Sequence, residues 1–147
     1  MLKRIDHTTI TVRNLKESIA FYTDILGFQV GHEMWISESR LRIVFLRLGD
    51  TILELFGVEE LKGEMLSDVN EVIGFKHIAL LTDSVDREYL RLVDKGVTFR
   101  IPPTTVQSVR IAFFKDPDGI DIELIEYEDE KGRDTEDGGK QSVRNFV

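Results

Sequence analysis

No cysteine occurs among the 147 residues, which excludes a disulfide framework and any thiolate chemistry. No apolar run approaches the roughly 20 residues needed to span a bilayer, so no membrane partner is expected. The N-terminal Met1-Leu2-Lys3-Arg4-Ile5-Asp6-His7 passes directly into an alternating strand pattern without a signal-peptide apolar stretch, and the expected compartment is cytoplasmic. Basic residues are in the minority, 19 Lys and Arg against 27 Asp and Glu, for a net charge of −8. That balance repels nucleic acid phosphates, and no basic stripe interleaved with aromatics offsets it, so no nucleic acid partner is expected. Part of the acidity lies beyond Tyr127 and says little about a pocket. What is present is 41% hydrophobic and 31% charged residues, the balance of a globular chain with a real core.

The chain reads as one pattern written twice. In the first half, residues 3–13 alternate as a strand, and Asn14 caps a helix whose third position, Glu17, suits a capping box. Leu15, Ile19, Tyr22, Ile25 and Leu26 recur at helical spacing, and Gly27 supplies the positive φ that ends the helix. Strands are expected at Phe28–Met34, Leu41–Leu48 and Thr51–Phe56, the last two joined by a tight Gly49-Asp50 turn. In the second half, Lys76–Leu81 is a strand, Asp83 or Ser84 a cap, Val85–Asp94 an amphipathic helix and Gly96 its stop. Val97–Ile101 begins a strand that Pro102-Pro103 interrupts, and strands at Val109–Phe114 and Ile120–Tyr127 flank the turn Asp116-Pro117-Asp118-Gly119.

The fold class expected is therefore α+β, with tandem β-α-β-β-β modules at 1–57 and 74–127, a polar linker at 58–73 that has a short helical stretch, and a polar acidic tail at 128–147. Each module of this size would be marginal alone. Laying one half on the other aligns His7 with His77, Asn14 with Ser84, Gly27 with Gly96, Arg42 with Arg110 and Glu54 with Glu123.

The aligned His and Glu carry the chemistry. His7 and Glu54 are 47 positions apart and His77 and Glu123 are 46, so two imidazoles and two carboxylates recur in register. Glu54 in Ile-Leu-Glu-Leu-Phe and Glu123 in Ile-Asp-Ile-Glu-Leu-Ile stand in apolar strand contexts, where an ionised carboxylate is costly unless paired or coordinated. Two neutral imidazoles and two carboxylates suit a borderline divalent ion and leave a position open for water or substrate. No local metal motif on a helix is present, so each ligand has to come from a different strand. Arg42 and Arg110 are candidates to hold a substrate carboxylate by a bidentate contact, although strand arginines are more commonly surface ion-pair partners. His32 has no counterpart in the second half and reads as a surface or rim residue.

On the residues Ile5-Asp6-His7-Thr8-Thr9-Ile10-Thr11-Val12-Arg13-Asn14-Leu15, Ser18-Ile19-Ala20-Phe21-Tyr22, Leu26-Gly27-Phe28, Gly74-Phe75-Lys76-His77-Ile78-Ala79 and Lys115-Asp116-Pro117-Asp118-Gly119-Ile120-Asp121-Ile122-Glu123-Leu124, the chain resembles the vicinal oxygen chelate superfamily, the glyoxalase/bleomycin-resistance/dioxygenase proteins. The resemblance covers about residues 3–127. It implies sheets that curl into an open barrel around one divalent metal, Zn, Ni, Co or Mn, held by His7, Glu54, His77 and Glu123, and it implies a homodimer. The full two-His, two-Glu set is that of the family's lyases and isomerases rather than of its extradiol dioxygenases or its non-catalytic ligand-binding members.

Such a metal polarises a carbonyl and makes the neighbouring C–H acidic enough for a carboxylate to remove its proton. Glu123 is the first choice of base and Glu54 the second. Glutathione-using glyoxalase I proteins carry an Arg and an Asn where this chain has Thr11 and Val58. The expected function is thus a metal-dependent glyoxalase-like lyase or isomerase acting on a small α-oxo or α-hydroxy compound that is not a glutathione adduct. The alternatives are a methylmalonyl-CoA-epimerase-like enzyme, an extradiol-type dioxygenase and a small-ligand-binding protein of the same fold.

Overall fold

The computed structural model describes residues 4–63 and 73–127. Residues 64–72 of the expected linker, with its short helical stretch, and the expected tail at 128–147 lie outside the described residues. In chain order the elements are β1 (His7–Val12), α1 (Leu15–Ala20) with a π-helical turn at Phe21–Ile25, β2 (Gln29–Ile36), β3 (Leu41–Leu48), β4 (Thr51–Val58), β5 (His77–Leu81), α2 (Val85–Asp94), β6 (Phe99–Val106), β7 (Val109–Lys115) and β8 (Asp121–Tyr127). They form two four-stranded sheets, ordered β1-β4-β3-β2 and β5-β8-β7-β6. In each, the first strand runs parallel to its neighbour and the other pairings are antiparallel. The α+β class and the twice-repeated β-α-β-β-β order are as expected, and both sheets are open.

Local chemistry explains the helices. Asn14 Oδ1 accepts from the Glu17 N–H at 3.2 Å, and Ser84 Oγ, rather than Asp83, accepts from the Arg87 N–H at 3.4 Å, so each helix has one of its orphan donors satisfied. Gly27 and Gly96 take φ of +84° and +87° where the chain turns out of each helix. The first helix differs from the regular one expected. Thr23 Oγ1 donates to the Ile19 carbonyl at 2.8 Å, a bond that competes with the regular ladder, and Leu26 N–H reaches back five residues to the Phe21 carbonyl at 3.2 Å. The last turn widens accordingly.

A second difference lies in β6, which runs through Pro102-Pro103 instead of stopping there. It is an edge strand, where a missing N–H costs no ladder bond, and the extra residue between Ile101 and Thr104 is absorbed as a register shift against β7.

Strand alternation separates the two faces of each sheet. In the first, Ile10, Val12, Val44, Leu46, Leu53 and Leu55 point to the helix side; in the second, Ala112, Phe114, Ile122 and Leu124 do. All of these belong to one continuous core shared by the two modules, together with Tyr22, Leu26, Phe28, Val85 and Leu92. The modules thus meet through their helix sides. The Phe21 and Phe114 rings approach to 6.4 Å, Arg91 Nη1 donates to the Ile25 carbonyl at 2.9 Å, and the buried Tyr22 hydroxyl donates to Asp116 Oδ2 at 2.9 Å.

Asp116 organises the turn before β8 as well. Its Oδ1 accepts from the backbone N–H of Asp118 and Ile120 at 2.9 and 2.8 Å. Burial pushes the Asp116 carboxyl up, against the lowering effect of these N–H donors and of Tyr22. Burial, and then the Asp116 charge, push the Tyr22 hydroxyl far above the ordinary tyrosine range. A raised phenol contributes stability that is fully present below its unfolded pKa of about 10 and is lost as pH rises above it. Tyr22→Phe should therefore cost about 1–3 kcal/mol at neutral pH, because Asp116 is left buried and one donor short. Urea unfolding of both proteins from neutral to alkaline pH checks this. The gap between them should narrow above pH about 10, and a constant gap would mean that Tyr22 does not ionise on unfolding.

Candidate active site

The faces opposite the shared core carry the four predicted metal ligands. On the first sheet, β1 and β4 pair His7 with Ile52 and Thr9 with Glu54, which sets His7, Thr9 and Glu54 side by side. His7 Nε2 lies 3.8 Å from Glu54 Oε2, and Thr9 Oγ1 donates to the same oxygen at 2.5 Å. His7 Nδ1 is 3.1 Å from Asp6 Oδ2, and this contact holds the Asp6 carboxyl below its usual range. On the second sheet, Ala79 pairs with Glu123, and His77 Nε2 is 3.0 Å from Glu123 Oε2.

The two His and Glu pairs are therefore alike in residue type and unlike in support. Thr9 has Ala79 as its counterpart, so among the described residues no hydroxyl steadies Glu123. Desolvation raises the Glu123 carboxyl, and the His77 charge and hydrogen bond oppose that rise. Glu54 and Glu123 are buried, at 7% and 9% exposure, whereas the two imidazoles remain open to solvent. A buried carboxylate facing an exposed imidazole nitrogen is a donor set that suits a divalent cation. Each sheet supplies two such donors, and among the described residues no three or more His, Asp or Glu converge as a metal-binding group. The two pairs stand on faces turned away from the core that joins the modules.

Arg42 and Arg110 lie on the helix sides, not with the carboxylates. Arg42 is opposite Gly57 on β4, out of phase with Glu54, and its Nε is 4.0 Å from Glu33. Arg110 clasps Asp86 at the start of α2, with Nε and Nη2 at 2.5 and 2.6 Å from its two oxygens, and this contact raises the already high guanidinium pKa. Beside it Glu126 accepts from the Val85 N–H at 2.9 Å, fastening α2 to its sheet. Alternation by two makes this visible in hindsight, because Arg42 and Arg110 share the parity of the buried Val44 and Ala112.

Other residues do share the carboxylate faces. Thr11 and Val58 lie in phase with His7 and Glu54. His32 packs on Phe45, ring centroids 5.9 Å apart, and Phe45 is the direct cross-strand partner of Glu54. In the second sheet, Phe113 is the partner of Glu123 and makes an edge contact with His77 at 5.6 Å. Arg100, Lys115 and Asp121 stand on that face too. Phe45, Phe113, Arg100, Lys115 and Asp121 are not among the site candidates read from the sequence; strand phase relative to Glu123 is the signal for Lys115 and Asp121, and the bulge hides it for Arg100.

The model of the Glyoxalase/Bleomycin resistance protein/Dioxygenase superfamily matches residues 4–124. The chain belongs to that superfamily. A protein named lactoylglutathione lyase from Salmonella typhimurium is 35% identical over 135 residues, covering 86% of this chain and 94% of that protein. A second, from Schizosaccharomyces pombe, is 29% identical over 97% of this chain, which spans about half, 51%, of the yeast protein. Among solved structures, the trypanothione-dependent glyoxalase I of Leishmania major superposes with a TM-score of 0.70 at 29% identity, covering 88% of this chain and 90% of that one. No helix among the described residues is long and apolar enough to cross a membrane.

The helix-side cluster is structural by this geometry. Glu126→Ala strands the Val85 N–H inside the protein and should lower unfolding free energy by about 1–3 kcal/mol in a denaturant titration. An unchanged midpoint would show that water replaces the carboxylate there.

Proposed function

We propose that this protein is a metal-dependent lyase or isomerase of the glyoxalase type, acting on a small α-oxo or α-hydroxy compound at a site assembled from two chains. The observation that carries the reading is the duplicated His and Glu pair, His7 with Glu54 and His77 with Glu123, each on a face directed away from its own chain's shared core. Two donors are too few for a catalytic site, which takes three or more protein ligands. A second copy, placing its second module over the first module of its partner, completes the set, as two-fold symmetry does at both ends of the interface at once. The module limits in this reading are 1–57 and 74–127, with 58–73 as the connection and 128–147 outside the working unit.

The divalent ion, Zn, Ni, Co or Mn, supplies Lewis-acid polarisation of a substrate carbonyl when bound. The chain's own residues supply the proton transfer. Glu123 removes the proton next to the carbonyl and returns it to the adjacent carbon or the opposite face. Its environment suits that work, since desolvation raises its carboxyl towards the range of a general base, and among the described residues His77 is its side-chain partner. Glu54, pinned by Thr9, is better placed to hold than to move.

A second reading, action on a glutathione adduct, is favoured by the names of the Salmonella and fission-yeast relatives. Against it, the positions of Thr11 and Val58 on the carboxylate face supply neither a cation nor an amide. The nearby Arg13 is engaged across the module boundary, its backbone N–H donating to Asp118 Oδ1 at 2.9 Å and its Nη1 lying 3.5 Å from the same carboxylate. Turnover of the hemithioacetal of methylglyoxal with glutathione, beside that of small α-oxo compounds, separates the two.

Complementation tests the shared site. One chain carries His7→Ala and Glu54→Ala, and the other His77→Ala and Glu123→Ala. Each alone should bind no metal tightly and show no activity, whereas an equimolar co-refolded mixture should regain about a quarter of the wild-type sites, one intact site in each mixed dimer. Recovery of nothing, with dimers formed, would place all four ligands within one chain. Glu123→Gln in the metal-loaded protein should abolish solvent deuterium incorporation at the acidic carbon, a loss of at least about 100-fold. Retained exchange would remove Glu123 as the base.

A further inference from the structure

We propose that Arg100 is the specificity residue of the second half-site, and that it selects substrates with an anionic group, a carboxylate, beyond the reacting carbonyl. The assignment rests on the lyase or isomerase reading for the location of that carbonyl, and on the structure for everything else.

Arg100 is the extra residue of a bulge in β6: Phe99 pairs with Phe114 and Ile101 with Phe113, leaving Arg100 unpaired between them. Bulges re-aim side chains, and this one lays the guanidinium over the Phe113 ring, 5.5 Å from its centroid. The His77 ring touches the same phenyl group at 5.6 Å, and Glu123 is the cross-strand neighbour of Phe113. Arg100 therefore stands one aromatic ring away from the His77 and Glu123 pair.

The guanidinium is also pre-set. Nη2 is held at 3.0 Å by Asp121 Oδ2, while Nε and Nη1 make no hydrogen bond among the described residues, and the side chain is 49% exposed. One edge of the fork is fixed and the rest faces the open side of the sheet, the arrangement that favours bidentate capture of a carboxylate. Lys115 Nζ also lies 3.3 Å from Asp121 Oδ1, so Asp121 is shared between two cations and does not neutralise Arg100 alone. Asp121 is two residues from Glu123 along β8, about 7 Å, within the span of a short dicarboxylic acid.

The test compares 2-oxoglutarate with 2-oxopentanoate, which share the α-oxo acid group and differ in the distal carboxylate, by calorimetry on the metal-loaded full-length protein. Wild type should prefer 2-oxoglutarate by about tenfold or more. Arg100→Gln should erase the preference by weakening 2-oxoglutarate alone, and Arg100→Lys should keep part of it. Equal affinities in wild type, no binding of either probe, a preference that survives Arg100→Gln, or one lost in Lys115→Gln but not in Arg100→Gln would each overturn the assignment. Repeating the titrations after chelation keeps the two ideas apart: an Arg100-dependent preference that persists supports the anion subsite, whereas affinities for both probes that do not fall on removal of the metal count against the metal-dependent reading.

Discussion

The hydrogen bond from Tyr22 to Asp116 joins the widened turn of the first helix to the turn that launches β8, and the relation of the two modules depends on it. Both partners are buried, so the bond is made in a setting where an unpaired carboxylate would be costly. Around it the helix sides of both sheets close into one apolar core. Ser18 and Arg13 add contacts to Asp118 in the same turn, so the Asp-Pro-Asp-Gly motif acts as a receptor for the first module as well as a connection between two strands.

Covering the helix sides commits the other faces to a different use. A strand presents alternate residues to opposite sides, and once Val44, Leu46, Ala112 and Phe114 are inside, Phe45, Glu54, Phe113 and Glu123 must be on the far side. The two His and Glu pairs then lie on the faces away from the shared core, each carboxylate beside an imidazole of its own sheet. Within this symmetry the supports differ. Thr9 steadies Glu54, Ala79 offers Glu123 nothing, and Arg100 has no equivalent on the first sheet, where Gly31 occupies the bulge and His32 rests on Phe45. The duplicated scaffold thus presents one firmer carboxylate and one less constrained, with a cation beside the second.

The helices, caps and most strands were legible because their signals are local: Asn14 and Ser84 before apolar periodicity, Gly27 and Gly96 after it, Gly49-Asp50 between two apolar runs. What escaped depends on partners. Thr23 widens its turn because its hydroxyl finds the Ile19 carbonyl, and β6 tolerates Pro102-Pro103 because it lies on an edge. Arg42 and Arg110 looked like a substrate clamp because they align between the halves. Their alignment reflects shared parity on the helix side, where Arg110 meets Asp86 and Arg42 lies near Glu33.

The sequence by itself determined the module order and the repetition of His and Glu in register, since these follow from periodicity and spacing, and its motif residues carried the resemblance to the superfamily. Only the tertiary structure decided which side of each sheet the modules share, which carboxylate has a hydroxyl at its back, and which cation stands near it. Those facts depend on strand register and on contacts between residues about 100 positions apart, such as Tyr22 with Asp116 and Ser18 with Asp118. Such contacts arise when apolar surface is buried against a particular neighbour, and a linear pattern does not specify the neighbour.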